Sequence, residues 1–375
     1  RLRPTSKIRT VLNGAKPCVS NCACNPSLSG NPGAGRTKKS ADSSSRCAMP
    51  TGAAEPMRGT ILDADSFDRG DLDTASLEMA LVLWRHHRST QSHEVAERIA
   101  GCEVVVTNKV IIDAAAMQSA CLKLIIVAAT GTNNIDLVAA KQRGIMVCNV
   151  RDYASAAVSQ HVFSLLLTLV SHLGDYTQAV KAGRWQESKV FCLLDYPIRE
   201  LDGMTLGIIG YGNLGRRVEQ IALGFGMQVA ICARPGGGAI PDGRIALDTL
   251  LATCDVISLH CPLSDATHNL IGRAQLDKMK STAILINTAR GGIVNENDLA
   301  NALRQGDIGG AGIDVLTQEP PGADHPLLAV DIPNLLVSPH NAWGSVQSRQ
   351  RLADEIADLI QAYRQQTPRN CCLPD

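Results

Sequence analysis

The feature that most constrains this chain is a glycine pattern set between a strand and a helix. Gly210-Tyr-Gly212-Asn-Leu-Gly215 directly follows the apolar run 205–209 and opens an amphipathic stretch over 213–226. Alone, three glycines at this spacing say little. At a strand-to-helix junction each has a mechanical reason: the first makes the tight turn, the second lets backbone amides approach a pyrophosphate, and the third lets helix and strand pack closely. The helix N-terminus then faces the phosphates. The plain alternative is a Gly-rich turn with no ligand, but the second strand-like run at 228–232 favours a dinucleotide site built on Gly210, Gly212 and Gly215.

The rest of the chain carries the same rhythm. From Met57 onward, strand-like runs at 103–107, 122–129 and 145–150 alternate with helical stretches at 111–120, 134–143 and a long one over about 154–173. After a loop segment containing Trp185 the alternation restarts, with runs at 205–210, 228–232, 247–254, 255–260, 283–288 and 308–315 and helices at 213–226 and 295–305. A last strand at 335–338 leads to a helix over about 345–364. Alternation of this kind predicts two parallel α/β sheets. With 375 residues, 45% of them apolar, there is enough chain for two domains. No repeat of 20–50 residues is visible, which excludes solenoids and propellers.

Composition narrows the partners. The 36 basic and 36 acidic residues balance, but residues 1–56 hold nine Lys or Arg against Asp42 and Glu55 only. The mildly acidic body predicts neither a nucleic-acid nor a membrane partner, and no apolar run approaches the roughly 18–20 residues of a span. Residues 1–56, with eight Ser, six Pro and five Gly, are expected to be disordered. They read as translated upstream sequence rather than a transit peptide, since the chain begins with Arg1 and Met57 opens the first strand. The 13 cysteines are scattered. Cys18, Cys22 and Cys24 lack a second ligand pair at zinc-finger distance, so no metal site is expected. Reduced thiols in a cytoplasmic protein are the expectation.

A site that prefers NAD normally ends its second strand with an acidic residue, which accepts hydrogen bonds from the ribose 2′-hydroxyl. Here the strand ends in Ala233-Arg234-Pro235. A carboxylate would repel a 2′-phosphate, whereas Arg234 can pair with it, so NADP(H) is favoured, with NAD(H) possible.

From Arg58 to Tyr363 the chain resembles the D-isomer-specific 2-hydroxyacid dehydrogenase family, most of all its glycerate dehydrogenase or hydroxypyruvate (glyoxylate) reductase branch. The resemblance rests on Leu62-Asp-Ala-Asp-Ser-Phe67, Thr107-Asn-Lys109, Thr130-Gly-Thr-Asn-Asn-Ile-Asp136, Val158-Ser-Gln-His161, the glycine loop and Leu259-His-Cys-Pro-Leu263. It continues through Asn287-Thr-Ala-Arg-Gly-Gly292, Gly312-Ile-Asp-Val315, Glu319-Pro320 and Pro339-His-Asn-Ala-Trp-Gly344. Two positions depart from the family: Asn133 and Ala233 stand where acidic residues are common.

The implied chemistry is reduction of a 2-oxo acid, which needs a cation for the carboxylate, a hydride donor and a proton for the oxygen. Arg290, after the run 283–287, can hold a carboxylate and polarise the adjacent carbonyl. His340 is the expected proton donor, with Glu319 orienting its ring and favouring the imidazolium. The resemblance further implies that Thr130 and Gly131 hold the substrate carboxylate through backbone amides and that Asn213 and Leu214 give amides to the pyrophosphate. It puts Cys261, Pro262, Thr288, Ala289, Asp314 and His340 on the nicotinamide side, and Trp343 as a lid or as core.

It also implies a Rossmann coenzyme domain (157–337) inserted into a flavodoxin-like substrate domain (57–156 and 338–375). The strand and helix after Leu335 are then expected to return to the first domain. The helix over 154–173 and the loop 175–199 resemble a dimer arm, so a homodimer is expected. A sibling enzyme for another 2-oxo acid or 3-phosphoglycerate, with His86, His87 and Arg88 as candidate phosphate ligands, remains open. So does a cofactor-gated corepressor-like protein of the same fold.

Overall fold

The structure, a computed structural model, describes residues 57–374 except 82, 119 and 120. The expectations for residues 1–56, including their cysteines, lie outside the described residues.

Five strands form the first sheet: β1 (Arg58–Ile61), β2 (Leu83–His86), β3 (Val104–Thr107), β4 (Leu124–Val127) and β5 (Met146–Asn149). All pair in parallel, in the order β2-β1-β3-β4-β5, the flavodoxin-like arrangement. The helices α1 (Ala75–Ala80), α2 (Val95–Ile99) and α3 (Leu137–Gln142) come from the same stretch of chain. Every residue of β3 (VVVT) and β4 (LIIV) is buried, as central parallel strands covered on both faces must be.

Helices α4 (Ser155–Ser171) and α5 (Leu173–Lys181) lead to the second sheet. That sheet is built from β6 (Thr205–Ile209), β7 (Gln228–Ile231), β8 (Val256–Leu259), β9 (Ile284–Asn287), β10 (Gly310–Ile313) and β11 (Leu335–Val337). Between them run α6 (Asn213–Gly224), α7 (Leu247–Thr253), α8 (Arg273–Leu276) and α9 (Glu296–Gln305), and α10 (Val346–Arg364) closes the chain. The order is β11-β10-β9-β8-β6-β7, again all parallel. A parallel bridge between Cys232 and Ile245 adds one rung outside β7. The chain therefore runs outward from β6 through β7 to Ile245, then crosses to β8 on the other side of β6. That reversal is the switch point at which a Rossmann sheet takes its dinucleotide.

Besides the run at 247–254, which is the helix α7 rather than a strand, three expectations need correction. The helix expected over 111–120 does not form: Ile112 bridges to Ile135, its amide and carbonyl are bonded to Asn134 and Asp136, and only the short turn Ala116–Gln118 follows. Sheet-like pairing has taken the backbone groups that a helix would need. The loop expected from 175 begins instead as a helix: α4 ends at Ser171, close to where it was expected to, His172 adopts φ +49° and the chain bends by 60° into α5. His172 is fixed there by Asp175 at 2.9 Å and by stacking on Tyr196.

Third, strand and helix after Leu335 part company. β11 pairs with the free edge of β10 in the second sheet, and only α10 returns, burying Leu352, Ile356, Leu359 and Ile360 against Ile61, Val104 and Leu124 of the first. Arg349 secures it with two 2.7 Å bonds to Asp71. No single described helix is long and apolar enough to cross a membrane. The apolar face of α4 is spent on the second core through Val162, Phe163 and Leu166.

Candidate active site

Both sheets aim the carboxyl ends of their strands at one cavity of about 500 Å³. Open α/β sheets put ligands at these ends. Lys109 enters it after β3, Thr130 and Gly131 after β4, and Tyr153 after β5. From the second sheet come Gly212, Asn213 and Leu214 after β6, and Cys261 and Pro262 after β8. Thr288, Ala289 and Arg290 follow β9, Asp314 follows β10, and His340 and Trp343 follow β11. Of the residues expected at the site, Gly210, Gly215, Ala233, Arg234 and Glu319 do not line it.

The three glycines divide into two kinds. A Cβ on Gly210, whose φ is +96°, would lie 2.4 Å from the backbone of His260 and Cys261, and one on Gly215 would lie 2.4 Å from the carbonyl oxygen of Gly210. Those two are required by the protein's own packing of β6, β8 and α6. A Cβ on Gly212 would meet nothing within 4 Å, yet Gly212 lines the cavity. The space beside it is bounded by the N-terminal amides of the 12-residue helix α6, a setting suited to an anion.

Arg290 is held by the turn after β9. Asn287 donates to the Arg290 carbonyl at 3.0 Å and accepts from the Ala289 amide at 3.0 Å. The guanidinium donates to the Ala289 carbonyl at 2.6 Å, and its Nη2 lies so near Gly131 that a Cβ there would come within 2.8 Å. The loop carrying Thr130 is set by β5: Asn149 donates to the Thr130 carbonyl at 2.6 Å, and the Thr130 hydroxyl donates to the Val150 carbonyl. An arginine fork and the Thr130–Gly131 loop thus meet at one end of the cavity.

His340 lines the same cavity. Its Nδ1 lies 2.6 Å from Glu319 Oε2, while Glu319 Oε1 accepts from the Leu316 amide at 2.8 Å. Burial pushes the Glu319 carboxyl up, but the hydrogen bonds from His340 and Leu316 and the charges of His340 and Lys109 outweigh it and hold it below its ordinary value. Glu319 is therefore an anion behind the ring, and Nε2 has no hydrogen-bond partner among the described residues. The Leu316 backbone is also where Gly291 packs, for a Cβ on Gly291 would overlap the Leu316 carbonyl at 1.9 Å. The Arg290 turn and the Glu319 segment thereby support each other.

Asp314, buried, organises the turn that bears His340. It accepts from the Ser338 hydroxyl at 2.6 Å and from the amides of Asn341 and Ala342 at 3.1 Å each, with His161 3.5 Å away. His340 itself has φ +50°, and its amide donates to the Asp314 carbonyl at 2.8 Å. Trp343 lines the cavity, packs on the first core, and donates from Nε1 to the His340 carbonyl at 3.0 Å.

Among the cavity residues that carry no role in the sequence reading, two bring a nitrogen that can bear a proton into the lining at the ends of β3 and β8. Lys109 is one; the buried Asp63 carboxylate accepts from the amides of Asn108 and Lys109 at 2.7–3.2 Å and fixes that turn. Burial and the Arg290 charge push the Lys109 ammonium down. His260 is the other, its ring hydrogen-bonded to Ser258 at 2.9 Å and pushed down to about 4 by burial. A polar residue inside the motif Leu259-His-Cys-Pro-Leu263 was the available signal. His86, His87 and Arg88, the candidate phosphate ligands, do not line the cavity; Arg88 is paired with Asp65 and His86 with Glu78.

Comparison with known proteins bears on this arrangement. Over 307 residues the chain is 45% identical to a glycerate dehydrogenase of Methylorubrum extorquens, covering 81% of this chain and 96% of that one. It belongs to the D-isomer specific 2-hydroxyacid dehydrogenase family. The family model for the NAD binding domain matches residues 163–342. A hydroxypyruvate reductase of Blautia hydrogenotrophica is 35% identical over 320 residues, covering 84% and 99% of the two chains. Among solved structures, a D-lactate dehydrogenase from Aquifex aeolicus complexed with NAD and lactic acid superposes with a TM-score of 0.72 at 26% identity, covering 85% of this chain and 99% of that one.

This 2-hydroxyacid dehydrogenase is thus an oxidoreductase that works with a nicotinamide cofactor and a small 2-oxo or 2-hydroxy acid. The residues present fit that cofactor. Gly212 leaves open the space at the α6 N-terminus. Two buried polar atoms at the cavity, Thr288 Oγ1 and His260 Nδ1, lack a partner among the described residues, and a buried polar atom left so is costly unless a ligand satisfies it.

Proposed function

We propose that this dehydrogenase reduces hydroxypyruvate and glyoxylate to D-glycerate and glycolate, with NADPH as the favoured donor. The observation that carries this reading is the meeting, in one cavity, of an arginine fork against Gly131 and a histidine backed by an anionic Glu319 at 2.6 Å. Arg290 and the amides of the Thr130–Gly131 loop hold the substrate carboxylate, and the guanidinium polarises the carbonyl. The reduced nicotinamide, when bound, supplies the hydride. His340 Nε2 hydrogen-bonds the carbonyl oxygen and gives it a proton as it becomes an alkoxide, while Glu319 steadies the imidazolium. Lys109 lines the same cavity and feels the Arg290 charge, and its ammonium would favour the hydroxymethyl group of hydroxypyruvate over the methyl of pyruvate.

Arg234 supports the NADP(H) preference. It is exposed at the end of β7, adjacent in the sheet to β6 and its glycine loop, and Ala233 leaves no carboxylate there. The absence of His86, His87 and Arg88 from the cavity supports an unphosphorylated substrate. We assign 57–156 and 338–375 to substrate binding and 157–337 to the coenzyme. Exposed Trp185, Val190, Phe191, Leu194 and Ile198 follow α5 in one segment, which supports a homodimer, since a run of exposed apolar side chains marks an interaction surface. Nine described free cysteines agree with a reducing cytoplasm.

The test is a panel of glyoxylate, hydroxypyruvate, pyruvate and 3-phosphohydroxypyruvate, each with NADPH and NADH. The expected outcome is the highest kcat/KM with hydroxypyruvate or glyoxylate and NADPH. A preference for the phosphorylated acid, or for NADH, overturns the corresponding part of the proposal. Tight cofactor binding with no turnover on any acid would make the chain a sensor instead.

A further inference from the structure

The geometry points to a second chemical site outside the cavity: Cys148 and Cys371 form a redox pair that a peroxide-class oxidant closes into a disulfide, fastening the C-terminal segment along the edge strand β5. Their sulfurs lie 4.0 Å apart. The two residues form an isolated antiparallel bridge, with the Asn149 amide donating to the Asn370 carbonyl at 3.2 Å and the Cys372 amide to the Val147 carbonyl at 2.9 Å. These bonds flank Cys148 and Cys371 rather than join them, so the pair occupies the narrow, non-hydrogen-bonded position of a ladder, where opposed Cα atoms are about 4.5 Å apart. That lies within the span a disulfide bridges, and closing the sulfurs to about 2.05 Å requires side-chain rotation and a small shift of the tail.

The two thiols differ in the way the chemistry needs. Cys371 is exposed and meets the oxidant first. Its sulfur attacks a peroxide oxygen, the O–O bond breaks, and a sulfenic acid and water result. Cys148, buried at 2% exposure, then loses its proton to solvent, and its sulfur attacks the sulfenic sulfur. The S–S bond forms as the S–O bond breaks, and the departing hydroxide takes up a proton. In sum, two thiols and one hydrogen peroxide give a disulfide and two waters. Burial and the neighbouring Cys371 push the Cys148 thiol up to about 12, so the closing step is the slow one and quickens with pH.

The site borders the substrate loop. Asn149, next to Cys148, holds the Thr130 carbonyl at 2.6 Å, and Arg151 donates back to the Asn149 side chain at 3.0 Å. A bond that tethers β5 therefore acts on the strand that positions the Thr130 loop.

The experiment treats the full chain with hydrogen peroxide and maps its thiols by mass spectrometry with and without dithiothreitol. The expected result is a cross-linked peptide pair containing Cys148 and Cys371, lighter by two hydrogens and reversed by dithiothreitol. It should persist in Cys372→Ser and vanish in Cys371→Ser, whose exposed substitution leaves the fold and the untreated activity unchanged. The cross-link closes a chain segment of more than 200 residues, so Tm should rise by about 5 °C on oxidation of the wild type and not of Cys371→Ser. A Cys371–Cys372 bond, or a sulfinic acid on Cys371 with Cys148 still free, overturns the inference. Its failure leaves the dehydrogenase reading untouched, because the substrate panel needs neither cysteine.

Discussion

Glu319→Gln isolates the charge behind His340, the proposed proton donor. The substitution keeps the shape of the side chain, and its Oε1 can go on accepting from the Leu316 amide at 2.8 Å. What changes is the atom now 2.6 Å from His340 Nδ1: an acceptor bearing negative charge becomes an amide donor. The imidazolium then loses a charge-assisted bond worth about 1.5–3 kcal/mol, against about 1 kcal/mol for a neutral one. A net loss of about 1–2 kcal/mol corresponds to roughly 5–30-fold in the reduction rate at neutral pH.

The neutral ring also changes tautomer, since Nδ1 must now accept and Nε2 carries the hydrogen. The variant should therefore lose activity in the oxidation direction too, where Nε2 has to take up a proton. The assay is steady-state reduction of hydroxypyruvate from pH 5.5 to 9. We expect kcat/KM for the reduction to be lowered at every pH in this range. A profile within twofold of the wild type at every pH would refute the reasoning.

Four further outcomes are expected. His340→Ala should lower kcat by roughly a hundred- to ten-thousand-fold while cofactor binding, followed by fluorescence titration, stays within a fewfold of the wild type. Arg290→Ala should lower kcat and, in contrast, also raise KM for the oxo acid, because it removes the carboxylate contact as well as the polarising charge. Lys109→Met should raise KM for hydroxypyruvate by roughly 10–150-fold and leave pyruvate nearly unaffected, as expected for one hydrogen bond from a charged donor worth about 1.5–3 kcal/mol; equal losses on both acids would remove Lys109 from the proposed hydroxyl contact. His260, buried and pushed down to about 4, stabilises the fold while neutral. Its contribution is full above the unfolded value of about 6.5 and is lost as pH falls through 4, by up to about 3 kcal/mol. Urea midpoints at pH 7.5 and 4.5 should fall further for the wild type than for His260→Gln.

What the sequence made legible is whatever depends on a few adjacent residues. Gly210 and Gly215 are demanded by contacts within one strand–turn–helix unit, and Arg290 by its place at the end of an apolar strand, so both can be read from a short window. Asp63 could not be, because its partners are the amides of Asn108 and Lys109, 45 and 46 residues away. The helix expected over 111–120 failed for the same reason: Ile112 found backbone partners at Asn134 and Asp136, and local periodicity does not reveal a competing ladder. The break at His172 depends on Asp175 and on the ring of Tyr196, 24 residues on. Local propensity is visible in a window; long-range satisfaction of polar groups is not.

Asp314 shows where these two kinds of information meet. The family resemblance puts it at the nicotinamide, and it does line the cavity. Yet its carboxylate already accepts from Ser338, Asn341 and Ala342, which are the residues on either side of His340. A buried anion with three donors converging on it fixes the backbone at φ +50°, a region a side-chain-bearing residue rarely occupies without such support. The direction of the His340 ring thus follows from Asp314 through the main chain and from Glu319 through the ring nitrogen. Because Asp314 also lines the cavity, the His340 turn and that part of the wall belong to one hydrogen-bonded unit. Removing the Asp314 charge should then disturb His340 even where no cofactor contact is lost.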